Sequence, residues 1–384
     1  MEYLPFSLAI ATLAFFVGFG IDMMVGNRSI RFLKDAPSIG NGPGPKVSII
    51  IPARNEERNM QEALRSVLNQ DYEYAEIIVI DDRSTDRTGS ILDRMAREDS
   101  RLGVVHVTDL PPGWLGKNHA LYSGAQRAGG DLLLFTDADI VMHPSTVRKA
   151  VGYMVANQLD HLTITPEVRM PSILLDVFVG AFIIFFSLYA RPWKAKDPKS
   201  KRFIGIGGFN LVRKTVYRAV GTHQAIAMRP DDDLKLGKLI KHGGYRQELL
   251  FGRDMLHVEW YPSLREMING LMKNAFAGVN YSILAIVASS IAQFLLNVWP
   301  FLGLFLTHGI TRILNAVVVL LITFICWDNA RFHNSRRWYG IGFPISTLLF
   351  IYIMWRSMLV TLINNGIRWR GTHYPLAELR ANKV

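Results

Sequence analysis

Three carboxylate groups stand out by type and spacing: Asp81-Asp82, Asp137-Ala138-Asp139 and Asp231-Asp232-Asp233. The first two close short apolar runs, and the third opens a helical one. Any single group reads equally well as a turn or a helix N-cap, where aspartate is common. Three in succession, all at strand ends or helix starts, argue for a site. Asp137 and Asp139 carry the strongest chemical case. Two carboxylates one residue apart, just beyond a buried strand, present oxygen ligands to one hard divalent cation. Mg2+ or Mn2+ held this way completes its shell with water and substrate phosphates and neutralises a departing diphosphate.

The elements that must position these residues follow a strand-then-helix repeat from Lys46 onward. Strands are expected at Val47–Ile51, Glu76–Ile80, Val104–Val107 and Asp131–Phe135. Helices are expected over 57–69, over 85–98 with Ser84 or Thr85 as its cap, and over 117–128. Such alternation predicts a largely parallel sheet with helices on both faces, whose ligands bind beyond the carboxyl ends of the strands. No phosphate-cradling glycine loop follows the first strand, which runs into Pro52-Ala53-Arg54-Asn55-Glu56-Glu57. Gly205, Gly207 and Gly208 lack the strand–loop–helix context of such a loop. A dinucleotide oxidoreductase or a kinase is therefore disfavoured.

Apolar residues make up 49% of the 384 and charged residues 20%, against ~25% charged in soluble domains. Most of the charge lies between residues 27 and 270. The span Leu4–Met24 is long enough to cross a ~30 Å hydrocarbon layer and reads as an uncleaved anchor rather than a signal peptide. Arg28, Arg31 and Lys34 follow it, which places the next domain in the cytosol. Further spans are expected at Tyr281–Leu306, Ile313–Trp327 and Ile341–Ile363, with the loop bearing Arg331, Arg336 and Arg337 cytosolic. Four full crossings would put the basic tail (Arg368, Arg370, Arg380, Lys383) outside, against the charge bias. Pro300 makes 281–306 a candidate for a kinked or re-entrant segment. The run Ile173–Ala190 lies between motifs that must share one site, so an interfacial helix is expected there. The net charge of +11 suits an anionic lipid surface or a phosphorylated substrate, and the apolar spans argue against nucleic acid. The sole cysteine, Cys326, excludes a disulfide framework or a cysteine metal site.

Together these residues resemble the inverting family-2 glycosyltransferases of GT-A fold, over roughly residues 46 to 275. Val47-Ser-Ile-Ile-Ile-Pro-Ala-Arg-Asn-Glu-Glu57 resembles the family's opening strand and turn, and Asp81-Asp-Arg-Ser-Thr-Asp86 its nucleotide-binding turn. Trp114-Leu-Gly-Lys-Asn118 resembles its glycine-lysine loop, and Asp137-Ala-Asp139 its D-x-D metal motif. Asp232-Asp233-Leu234-Lys235-Leu236 matches the family's E-D-x-x-L base motif with Asp in place of Glu. The processive members' Q-x-x-R-W is not found. Tyr261–Phe276 and the Trp369-Arg-Gly-Thr-His-Tyr374 stretch instead resemble single-transfer, lipid-modifying relatives.

The resemblance implies an α/β fold: a GT-A nucleotide-diphospho-sugar transferase domain with N-terminal and C-terminal transmembrane helices. The expected organisation is an anchor over 1–26, a linker over 27–45 and a catalytic domain over 46–275 with its interfacial helix near 173–190. A C-terminal transmembrane region of two to three segments over 276–365 and a tail over 366–384 complete it. Pro52, Asn55, Glu56, Asp82, Lys117 and Asp137 are implied to bind the donor, Asp139 and Asp137 the Mg2+ or Mn2+, and Asp233 or Asp232 to act as base. The implied activity is metal-dependent, inverting transfer of one sugar, from UDP by resemblance, to a membrane lipid hydroxyl at the cytosolic face of the cell membrane. A processive polysaccharide synthase, a polyprenyl-phosphate glycosyltransferase and a non-catalytic subunit that kept the fold are the alternatives. His106 and His242 read as structural, His119 as a surface residue or a donor-phosphate contact, Arg246 and Arg253 equally as diphosphate ligands or solvated, and Trp193, Trp260 and Tyr261 as interface anchors.

Overall fold

The computed structural model describes residues 3–38 and 44–384, so the linker expected over 27–45 lies in part (39–43) outside the described residues. The chain divides into two units, one almost wholly apolar and one α/β.

The α/β unit comprises Ile30–Glu167, Pro192–Glu259 and Arg368–Val384. After an N-terminal helix α1 (Tyr3–Ser29), which belongs to the apolar unit, the order is β1 (Val47–Ala53), α2 (Met60–Leu68), β2 (Ala75–Asp82), α3 (Thr88–Glu98), β3 (Leu102–Val107), α4 (Gly116–Arg127) and β4 (Leu132–Phe135). A short β5 (Val141–Met142), α5 (Thr146–Ala156), β6 (His161–Thr165) and β7 (Glu167–Arg169) follow, then α6 (Ile173–Ala190) of the apolar unit. The α/β unit resumes with β8 (Asn210–Arg213), α7 (Lys214–Ala219), α8 (Asp232–His242), β9 (Gln247–Phe251) and β10 (Leu256–Glu259).

Seven strands form one sheet in the order β3-β2-β1-β4-β8-β6-β9. β3, β2, β1 and β4 run parallel, β8 is antiparallel to both β4 and β6, and β9 pairs parallel with β6. The parallel half matches the alternation read from the sequence. Its inner strands β1, β2 and β4 are largely buried, whereas the edge strand β3 is partly exposed. α4 packs on β1 and β2, burying Ala120 and Leu121 against Ile50, Ile80 and Leu133. Each such aliphatic side chain contributes about 1.5–3 kcal/mol of burial.

Two helix starts differ from the sequence reading. The helix expected from residue 57 begins at Met60, and the one expected from Thr85 begins at Thr88. Ser84 and Thr85 do not cap it, because both are spent on Asn55. The Asn55 N–H donates to Ser84 Oγ at 3.0 Å, and the Thr85 N–H donates to Asn55 Oδ1 at 2.8 Å. Asp86 serves the helix start instead, accepting from the Thr88 N–H at 2.9 Å.

The apolar unit comprises residues to Ser29, Val168–Arg191 and Trp260–Ile367. It holds α1, α6, α9 (Leu264–Gly278), α10 (Ile283–Gln293), α11 (Trp299–Leu306), α12 (Gly309–His333) and α13 (Phe343–Ile363). A π-helical turn, Phe294–Val298, separates α10 from α11. Pro300 falls in the first turn of α11, where its missing N–H breaks no helix bond. Among the described residues five helical spans are long and apolar enough to cross a membrane, α6 among them. The C-terminal ends of α1 and α12 lie side by side: Arg28 forks onto buried Asp328 at 2.9 and 3.1 Å, and Asn27 donates to Asn329 at 3.0 Å. The basic stretches beginning at Arg28 and Arg331 therefore sit at one end of the unit, in keeping with a shared side for both. Asp176 of α6 pairs with Arg336 at 3.2 Å.

The chain closes with β11 (Gly366–Trp369), β12 (Thr372–Pro375) and α14 (Leu376–Ala381).

Within the α/β unit one buried amide ties α4 to the turn before α8. Asn118 Nδ2 donates to the carbonyls of Ile226, Ala227 and Arg229 at 2.8, 3.1 and 2.9 Å. Asn118→Ala removes three hydrogen bonds, though the Ile226 and Ala227 carbonyls keep the Arg229 and Leu115 N–H groups, and should cost about 1–3 kcal/mol. Thermal melting of the purified chain checks this, and an unchanged midpoint would contradict it.

Candidate functional site

The carboxyl ends of β1, β2 and β4 and the start of α8 bring the expected residues to one rim of the α/β unit. Lys117, in the first turn of α4, lies at its centre. Its Nζ stands 2.8 Å from Asp137 Oδ1 and 3.6 Å from Asp232 Oδ2. Burial pushes the ammonium pKa down, but Asp137, Asp232 and Asp233 outweigh burial and hold it above its ordinary value. Lys117 is therefore a fixed cation.

Asp137 follows β4, and its N–H donates to the Gly207 carbonyl at 3.1 Å. The adjacent Thr136 hydroxyl donates to the Gly208 carbonyl at 2.8 Å. The Gly207 N–H donates to Asp233 Oδ2 at 2.7 Å, and the Leu234 N–H to Asp233 Oδ1 at the same distance. Burial raises the Asp233 carboxyl above the usual range, and Lys117 opposes that shift. Asp232 is the more deeply buried of the two and faces Lys117. Asp231 has a different duty. Fully buried Arg229 forks onto it at 2.9 and 3.0 Å, fixing the start of α8.

These contacts depend on glycines that local sequence context did not promote. A Cβ on Gly205 would stand 1.9 Å from the Asp233 carbonyl oxygen, and one on Gly207 would stand 2.7 Å from Asp137 Oδ2. The loop 205–208 thus lies against both carboxylates, and only glycine permits that approach. A glycine cluster between an apolar helix and a strand was the available signal.

The residues expected at the nucleotide lie at the carboxyl ends of β1 and β2 and on the loop after β1. Pro52 sits in β1 opposite Ile80. Asn55 has left-handed backbone (φ 53°) and is held by Ser84 and Thr85 as above. The Glu56 N–H donates to Thr88 Oγ1 at 2.8 Å. Buried Asp82 accepts from Arg83 at 2.7 and 3.0 Å and lies 3.5 Å from Arg54 Nη1. His106 bridges Asp81 and Asp93 at 2.8 and 2.9 Å, a structural role. The His119 ring packs edge-on against Trp114.

Burial, then Asp137 and Glu56, push the Asp139 carboxyl up to about 7. Burial also raises Glu56, with Arg370 opposing. Among the described residues no three His, Cys, Asp or Glu side chains converge as a ready-made metal cluster. Asp137 and Asp139 nevertheless fit a hard cation: they are oxygen donors in mutual repulsion, and water and substrate phosphates can supply the remaining ligands.

Residues 48–221 match the family described as glycosyl transferase family 2. The chain carries a glycosyl transferase family 2 domain. Over 344 residues it is 23% identical to a 4,4'-diaponeurosporenoate glycosyltransferase of Staphylococcus aureus (strain bovine RF122 / ET3-1), covering 86% of this chain and 89% of the relative. The protein of that name from Staphylococcus haemolyticus (strain JCSC1435) is 27% identical over 241 residues, covering 61% of this chain and 62% of the relative. A mannosyltransferase from Pyrobaculum calidifontis, solved in complex with GDP-Man and Mn2+, superposes with a TM-score of 0.55 at 18% identity, over 92% of this chain and 99% of its own. That likeness establishes the fold, and the glycosyltransferase domain is GT-A, as the sequence motifs led us to expect.

A carboxyl whose pKa is raised on folding penalises the native state as it ionises. Without divalent cation, stability should fall as pH climbs from the unfolded carboxylate range (about 4) through about 7, where Asp139 titrates. Melting curves over that range should show the fall, a flatter profile for Asp139→Asn, and a larger gain from added Mn2+ at high pH than at low. An identical profile for the variant would contradict the assignment.

Proposed function

We propose that the chain is an inverting glycosyltransferase that moves a single sugar from a nucleoside diphosphate sugar, a UDP-sugar, onto the hydroxyl of a membrane lipid. The observation that carries this reading is one ammonium, Lys117, shared between the D-x-D carboxylate Asp137 and the α8 pair Asp232 and Asp233. A donor-holding group and a candidate base thus belong to one electrostatic unit.

In this reading Pro52, Asn55, Glu56 and Asp82 hold the base and ribose of the donor, and Lys117 holds its diphosphate. Asp137 and Asp139 are the ligands for Mg2+ or Mn2+, which when bound supplies positive charge to the departing diphosphate. Asp233 takes the proton of the acceptor hydroxyl. Its two oxygens are fixed by the N–H groups of Gly207 and Leu234, and burial makes it more basic than a solvated carboxylate. A single in-line displacement at the anomeric carbon then inverts it. Lys117 meets the charge that develops on the leaving group, and it is in place before reaction.

The lipid acceptor is supported by two facts. The Staphylococcus relatives are named as glycosyltransferases of diaponeurosporenoate, a lipid-like acceptor. Five spans of this chain are apolar enough for a bilayer, which supports a multi-pass protein of the cell membrane. The pairing of the α1 and α12 ends, with their basic flanks, supports a cytosolic site, where nucleotide sugars are at hand.

Membranes expressing the chain, given radiolabelled UDP-sugars and Mn2+, should carry label into the organic phase. Asp233→Asn should lower that transfer by about 10²–10⁴-fold, the range for a lost general base, while nucleotide binding persists. Label in insoluble polymer would point to a synthase, and full activity in Asp233→Asn with loss in Asp232→Asn would move the base to Asp232.

A further inference from the structure

The residues after the last long apolar helix return to the α/β unit and touch the loops after β1 and β2 and the start of α4, which carry candidate donor residues. At the turn between β11 and β12, Arg370 adopts left-handed backbone (φ 48°), followed by Gly371 (φ 80°). A bulky side chain is disfavoured there, so its contacts must hold it. Its guanidinium spans three consecutive residues of the loop after β1. Nη1 donates to the Arg54 carbonyl and, at 3.4 Å, to the Asn55 carbonyl, while Nη2 meets Glu56 Oε1 at 2.5 Å.

Four residues on, buried Tyr374 reaches the other side of the rim. Its hydroxyl accepts from the Gly116 N–H at 3.2 Å, directly before Lys117, and bonds to Arg83, which forks onto Asp82. Further along, Asn382 accepts from the Met228 N–H and donates to the Ala225 carbonyl, both at 3.0 Å. Leu376 and Leu379 are buried, so α14 is anchored rather than draped.

We infer that residues 368–384 are a working part of the donor site, with Arg370 as a positioning residue that aims Asn55 and Glu56 at the nucleoside diphosphate of the donor. The inference rests on the donor-site reading given above. A planar fork is needed to hold two carbonyls and a carboxylate at once, which lysine cannot do. Tyr374 sets the Gly116 turn and, through Arg83, Asp82. The tail thereby closes a loop between residues more than three hundred positions apart in sequence.

The test uses the full chain purified in detergent and compares wild type, Arg370→Ala, Arg370→Lys, Tyr374→Phe and Asp82→Asn. Calorimetry measures binding of UDP and GDP, and kinetics gives KM and kcat for the donor. Arg370→Ala should weaken nucleotide binding and raise donor KM by about tenfold or more, while kcat changes by less than about threefold. Arg370→Lys should fall between, and Tyr374→Phe should show a smaller rise in KM. Melting midpoints within a few degrees of wild type separate positioning from loss of fold.

Unchanged binding and KM in Arg370→Ala, while Asp82→Asn loses nucleotide, would overturn the role of the tail and leave the donor site standing. A fall in kcat and melting midpoint with KM unchanged would likewise overturn it in favour of a purely structural strap. No nucleotide binding by wild type, or wild-type binding by Asp82→Asn, would overturn the donor-site reading and this inference with it.

Discussion

One buried-side ammonium keeps the rim of the sheet together. Asp137, Asp232 and Asp233 come from two elements far apart in sequence, and without a cation their carboxylates would repel one another. At an effective dielectric near 20, each like-charge pair about 4 Å apart costs on the order of a few kcal/mol. Lys117 offsets this from the first turn of α4, at 2.8 Å from Asp137 and 3.6 Å from Asp232. The same attraction fixes the protonation of Lys117, so the site carries a permanent positive charge among acids. A phosphate-bearing ligand meets that charge already in place, which is the condition for electrostatic stabilisation without reorganisation.

Backbone proximity is the second constraint. α8 can bring Asp233 to Lys117 only because Gly205 and Gly207 place no side chain against Asp233. Behind the loop, Arg229 locks Asp231, and Asn118 joins α4 to the turn that precedes α8. The three consecutive aspartates therefore divide the work. Asp231 anchors the helix, Asp232 faces the lysine, and Asp233 is held by two N–H groups with its carboxyl toward the loop. Identical residues acquire different roles from the partners the fold gives them.

The parts legible in sequence were those with local periodicity. Apolar runs ending in Asp82 and in Asp137-Ala-Asp139 mark strands and their carboxyl ends, so the parallel half of the sheet and its acidic ends follow from pattern, while β6, β8 and β9 do not. Helix starts were less legible, because Ser84 and Thr85 bond across to Asn55 instead of capping their own helix. The glycines at 205 and 207 allow close approach to Asp233 and Asp137, residues distant in sequence, which no local motif encodes. Arg370 and Tyr374 were visible only as a resemblance. Their partners, Glu56 and Gly116, lie 314 and 258 positions away, and nothing short of the folded chain pairs them.

The most direct test of the central claim is label transfer from a nucleotide sugar to lipid by Lys117→Met, compared with wild type at equal amounts of folded protein. Removing the ammonium shared by Asp137, Asp232 and Asp233 should reduce transfer by about 10²–10³-fold, with the melting midpoint showing that the sheet survives. Transfer at the wild-type rate by a folded Lys117→Met chain would contradict the account, since the shared ammonium would then have no part in the chemistry.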